Sequence, residues 1–235
     1  MQKITVFALC ALFAGGLAQA EEESPWSGKA SLGYLATSGN TENSTLKSDF
    51  EIHYVKNKWE HSLTLKAIQA SEENNTTAEA YDAGWKSEYN FSETDFLFGR
   101  LDWRKDRFSG YDTQFSQTAG YGRRVLETER QELNAEIGAG AKQSDLADGT
   151  TVEEFILRGG LNYRWVFSEN AEFTQDLSVE SGSDNTYLES ISAVKANLIG
   201  EVSLVASFTV KNNSDVPAGN EKTDTFTAIS LEYAF

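Results

Sequence analysis

His53 has the most suggestive neighbours of any residue here that could move a proton. Glu51 and Asp49 precede it by two and four positions. In an extended chain that spacing puts all three side chains on one face. A carboxylate beside an imidazole can pass a proton back and forth. No Ser, Cys or Thr nucleophile motif accompanies it, and a polar strand face groups such residues without catalysis. The reading is therefore a polar wall, and no enzymatic activity is expected. His61 falls on the opposite row, close to a turn, and reads as a rim residue. The stretches Asp145 to Asp148 and Ser181 to Asn185 offer oxygen ligands but lack the regular spacing of a calcium loop. They read as solvated surface loops, and no metal or cofactor is expected.

What positions these residues is clearest in the last stretch, KTDTFTAISLEYAF. One alternate row is Thr225, Thr227, Ile229, Leu231, Tyr233, Phe235; the other is Asp224, Phe226, Ala228, Ser230, Glu232, Ala234. A period of two, with apolar and aromatic residues on one row, marks a strand between two different solvents. Aromatics two apart at a strand end fit the boundary of a transmembrane barrel. Leu231, Tyr233 and Phe235 form a tail similar to the C-terminal assembly signal of bacterial outer-membrane proteins.

The opening MQKITVFALCALFAGGLAQA has a basic start at Lys3, an apolar core and small residues at Ala18 and Ala20. This is the pattern of a cleaved secretory leader over residues 1–20, followed by one barrel domain over 21–235. The apolar run is too short for a membrane-spanning helix. Leu9 before Cys10 does not suit a lipoprotein anchor. The single cysteine, Cys10, leaves with the leader, so neither disulfide nor thiol chemistry is expected. The formal charge of −16, one unit more negative once Lys3 is removed, argues against nucleic acid as a partner.

About twelve alternating segments follow, near 28–37, 43–55, 59–70, 78–91, 96–108, 112–126, 131–143, 152–167, 171–181, 187–198, 202–211 and 223–235. Ten or fourteen strands are also compatible. In nearly every segment one row carries no ionised side chain, as in Leu46, Phe50, Ile52, Tyr54 or Phe155, Leu157, Leu161, Tyr163, Trp165. Lys or Arg facing lipid at the midplane costs about 2–4 kcal/mol, so a lipid-facing row should be charge-free. Arg123 is an exception near a strand end. The opposite rows supply candidates for lining a lumen: Lys47, Asp49, Glu51 and His53; Asp82, Lys86 and Glu88; Arg100, Asp102 and Arg104; Arg124; Glu136; Arg158 and Arg164; and Asp176.

Connections alternate in length. SGNTE, SEENNTT, SGYD, SDLADGT, SGSDNT and NNSDVPAGNEK would face outward, and VKNK, SETD, ETER, SEN and IGE would be short periplasmic turns. Tyr54, Trp59, Phe91, Phe96, Trp165, Phe173, Tyr233 and Phe235 would form one aromatic girdle. Tyr34, Trp103, Phe115, Tyr187 and Phe208 would form the other. The fold expected is all-β, a transmembrane antiparallel β-barrel. Its rival is a water-soluble, lipocalin-like periplasmic barrel with the apolar row packed inside.

WSGKASLGYLATSGNTENSTL, GYDTQFSQTAGYGRRV and KNNSDVPAGNEKTDTFTAISLEYAF resemble the YdiY-like family over Trp26 to Phe235. That family is labelled salt-induced outer-membrane protein and also a domain of unknown function. The resemblance implies an outer-membrane barrel and supplies no substrate, cofactor or catalytic residue. The expected setting is the outer membrane of a Gram-negative bacterium. Expected partners are the lipid bilayer, lipopolysaccharide, the barrel-assembly machinery through the C-terminal strand, and small solutes or ions. The expected role is a narrow channel or an envelope-stress barrel. A structural or adhesion barrel acting through its acidic loops is the alternative.

Overall fold

The computed structural model describes residues 24–37, 43–72, 75–106, 111–146, 149–216 and 221–235. The leader expected over 1–20 lies outside them. The strands are β1 (Trp26–Thr37), β2 (Asn43–Lys56), β3 (Trp59–Glu72), β4 (Asn75–Asn90), β5 (Asp95–Asp106) and β6 (Tyr111–Glu127). They continue as β7 (Gln131–Leu146), β8 (Thr151–Ser168), β9 (Ala171–Ser181), β10 (Thr186–Ile199), β11 (Val202–Asn213) and β12 (Thr223–Ala234). Each pairs antiparallel with its sequence neighbours, and β1 pairs with β12 to close the barrel at twelve strands. At that seam Gly28 and Phe235 exchange both backbone hydrogen bonds, at 2.8 and 2.9 Å.

Closure satisfies the backbone of every strand within the sheet, which a hydrocarbon environment requires. The pleat does the sorting. Ile137 and Phe155, 68% and 67% exposed, point outward with Leu32, Leu157, Leu204 and Leu231. Asp102, Lys142, Arg158, Glu180 and Lys211 are buried inside. The outer surface is thus a band of aliphatic and aromatic side chains, and the water-soluble alternative would need the reverse. Ionised residues on the outer row sit at strand ends. Arg123 lies 3.7 Å from Asp95, whose carboxylate also accepts a hydrogen bond from Tyr121 Oη. Lys105 lies 3.7 Å from Asp112.

The connections over 57–58, 91–94, 128–130, 169–170 and 200–201 are short and lie at one end. Asn57 and Gly200 take φ of 57° and 55°, a left-handed conformation that Asn and Gly adopt at low cost. At the other end lie the strand termini Thr37 and Asn43, Glu72 and Asn75, Asp106 and Tyr111, Leu146 and Thr151, Ser181 and Thr186, and Asn213 and Thr223. Its length advantage is smaller than the sequence suggested. SEENNTT, read as an outer loop, is mostly ladder, because β3 continues to Glu72 and β4 begins at Asn75.

Two girdle assignments are corrected. Phe96, 2% exposed, and Tyr187 point into the barrel. Their rows are the ionised ones, shared with Arg100 and Glu189, and aromatic character alone misplaced them. Tyr54, Trp59, His61 and Trp85 do form an outer aromatic group; the His61 ring stacks 5.9 Å from Trp59 and 6.2 Å from Trp85.

Candidate functional site

The inward rows meet in a lumen that is organised differently along its length. Near the short turns, ion pairs run around the wall between nearby strands. Arg164 on β8 bridges Glu132 on β7 at 3.0 Å and Glu172 on β9 at 2.8 Å. Lys195 lies 2.9 Å from Glu232, and Lys29 lies 3.0 Å from Glu51. His53 is held in this ring, with Nε2 2.9 Å from Glu51 and Nδ1 3.7 Å from Glu60. Arg124 donates to Asn90 Oδ1 at 3.0 Å and lies over the Phe96 ring. Lys47 pairs along its own strand with Asp49 at 3.3 Å, and Asp49 also accepts from Ser31.

Deeper, towards the longer loops, the pairs run across the bore. Arg104 on β5 donates two hydrogen bonds to Glu180 on β9, at 2.8 and 3.0 Å. Arg158 on β8 adds a third at 2.6 Å. Arg100 grips Asp102 through two bonds of 2.7 Å, and Asp102 lies 3.8 Å from Arg158. The Arg104 guanidinium stacks 4.5 Å from the Tyr187 ring. Tyr187 Oη donates to Glu189 at 2.9 Å, and Glu189 accepts from Lys66 on β3 at 3.3 Å. Lys211 on β11 reaches Asp82 on β4 at 3.0 Å. In the closed strand order the last two links join walls five strands apart. Bidentate charge-assisted bonds of this kind make a buried pair tolerable where single contacts would not.

Apolar side chains thicken this layer: Ile68, Ala80 and Phe226 pack together on the loop side. Lys142 lies 2.9 Å from Glu154, and the 182–185 connection folds over them. Asp184 N donates to Glu154, and Asn185, 3% exposed, donates to Asn213. The Ser181–Asn185 stretch is therefore a partly buried cap where a solvated loop was expected. Asp145 lies at the end of β7, accepting from Thr113 and Thr151; Asp148 lies outside the described residues.

Void volume follows the same division. Two cavities of about 220 and 160 Å³ lie on the short-turn side of the cross-bore layer, which walls the larger one through Asp82, Arg104, Arg158 and Glu189, and they share Glu51, Thr64, Lys66, Asp176 and Ile191 as wall. The cavities towards the loops hold only about 20 Å³ each. One flank of the barrel is filled by rings. The tips of the Phe96 and Phe98 rings lie against Gly120, Gly122 and Gly138 on β6 and β7, and a Cβ at Gly122 would sit 2.1 Å from Phe96 Cζ. Lys86 Nζ lies 5.4 and 5.5 Å from those two rings, contacts Glu136, and is 2.7 Å from Glu88.

Of the lumen candidates, each occupies an inward row. The charge alternation did not reveal which partner each meets across the bore, nor Phe98, Tyr187, Glu180 and Glu189. The inward glycines of GYGRR and IGAGAK were the signal for rings lying against them.

A closed sheet that is oily outside and ionised inside defines a membrane-spanning β-barrel of the outer-membrane type. The chain belongs to the family described as "Protein of unknown function, DUF481", whose model matches residues 30–235. It is 33% identical over 216 residues to "Uncharacterized protein YdiY" of Escherichia coli (strain K12), covering 92% of this chain and 85% of that one. The COG4313 outer membrane channel from Pseudomonas putida F1 shares the architecture, with a TM-score of 0.56 at 9% identity over 94% of this chain and 99% of that one. The NanC porin gives 0.50 at 10% identity over 89% and 97%. At such identities the likeness is one of fold.

Proposed function

We propose that the chain is a barrel of the Gram-negative outer membrane that passes small ions through a narrow lumen, closed in the described state by the Arg104–Glu180 layer. The supporting observation is the change in pairing direction. Two adjoining voids of about 220 and 160 Å³ lie on the short-turn side of the cross-bore pairs, whose Arg104, Arg158 and Glu189 wall the larger one, whereas the cavities towards the loops hold about 20 Å³ each. A barrel with a purely mechanical role gains nothing from charge-lined voids large enough to hold water. In this reading residues 1–20 are a cleaved leader, the short turns face the periplasm, and Leu231, Tyr233 and Phe235 present the last strand to the assembly machinery. Lipopolysaccharide would surround the loop-side rim, and the conducted species would be ions or small polar solutes rather than a catalytic substrate.

Planar-bilayer recording tests this. The wild type should show small, infrequent openings, and Glu180→Gln should show larger or longer ones. Silence from both proteins, each shown to be folded, would sink the channel.

A second reading has its own observation: the cap over Glu154 and the cross-bore layer make the loop side rigid. That suits an envelope-stabilising barrel, induced by salt or osmotic stress, acting through its acidic loops. It predicts altered envelope integrity, with no conductance, when the loop acids are neutralised.

A further inference from the structure

The walls of the two larger cavities carry an almost balanced set of charges. Each cation on them has an acidic partner, from Lys29 with Glu51 to Lys195 with Glu232. Each carboxylate but one has a basic partner, even where that partner is across the bore, as with Asp82 and Lys211. The exception is Asp176 on β9. It lines both cavities, so it stands where they join. Its Oδ1 accepts a hydrogen bond of 2.7 Å from Asn162, and no cation pairs with it among the described residues. Although it belongs to an inward row, it is exposed, as is Asn162.

Resting on the channel reading above, we propose that Asp176 is the residue that makes this lumen prefer small cations to anions. The other wall charges cancel over distances shorter than the Debye length, about 10 Å at 0.1 M salt. What remains at the junction is the field of one hydrated carboxylate, and fixed charges lining a narrow water-filled bore set which sign of ion enters. Asn162 fixes the side chain without neutralising it. A solvated, singly hydrogen-bonded carboxylate can accept a passing cation and release it, which a paired one cannot do.

Reversal potentials under a potassium chloride gradient test the assignment, with the heat-modifiable gel shift confirming that each variant is folded. Wild type should favour potassium over chloride. Asp176→Asn should move the reversal potential to near zero, and Asp176→Lys should invert its sign. Glu153→Gln, on the outward row beside the loops, should leave it unchanged. Conductance with an unaltered permeability ratio in Asp176→Asn would overturn this inference and leave the channel standing. Absence of conductance in both wild type and Glu180→Gln would overturn the two together.

Discussion

Arg104 on β5 reaches across the lumen and holds Glu180 on β9 through both of its terminal nitrogens, at 2.8 and 3.0 Å. Glu180 is 0% exposed and is shared with Arg158. Removing its charge leaves two largely buried guanidinium groups without the carboxylate they share. Breaking a buried pair in this way costs about 3–5 kcal/mol. Glu180→Gln should lose its compact, SDS-resistant form at a lower temperature than wild type. The double variant Arg104→Met/Glu180→Leu should recover much of that loss, because no orphaned charge on either of those two residues remains. Gel-shift melting curves for the three proteins check this.

The outer band makes a separate prediction. Ile137, in the middle of β7 and facing outward, should tolerate Arg poorly, at a cost of about 2–4 kcal/mol. Trp59→Arg, on the outward row beside the 57–58 turn, should cost far less because the charge reaches the interface. Folding titrations into phosphatidylcholine vesicles would show the difference; equal costs would contradict the placement of the bilayer around the middle of the strands.

At the aromatic flank, Gly122→Ala places a methyl group inside the volume of the Phe96 ring. Overpacking of this kind typically costs about 1–3 kcal/mol. The variant should fold less stably, and adding Phe96→Leu should restore part of the loss. A Gly159→Ala control, whose Cβ would meet nothing within 4 Å, should be neutral.

At the seam, the Phe235 ring lies over Gly28, within 2.6 Å of where a Cβ would be, and its backbone bonds twice to that residue. Phe235→Ala keeps the backbone bonds, so the purified barrel should lose little stability. Its yield of folded protein in cells should fall more, if the last strand is read during assembly. Pulse-chase folding in cells set against melting in detergent separates the two effects.

The strands were legible because lipid and water impose opposite demands on alternate residues, and β9 shows the pattern over Ala171–Ser181 to the residue. Two properties of the site were not. Cross-bore partners such as Lys66 and Glu189 are set by how far each strand is staggered around the closed sheet, and no local pattern records that stagger. Phe96 and Tyr187 were misread because an aromatic residue near a strand end suits both a membrane boundary and a filled interior. Row parity with Arg100 and Glu189 would have placed them. The 71–77 stretch looked like a loop by its Ser, Glu, Asn and Thr content, yet backbone pairing with little core to bury accepts such residues.

The glycine-backed rings of Phe96 and Phe98 also take one stretch of the wall out of contact with the open volume. With the rings set against β6 and β7, β6 lines neither of the two larger cavities and β7 reaches them only through Glu136. Traffic through this protein would pass that stretch without touching it, so the residues governing it form an arc and not a full circle.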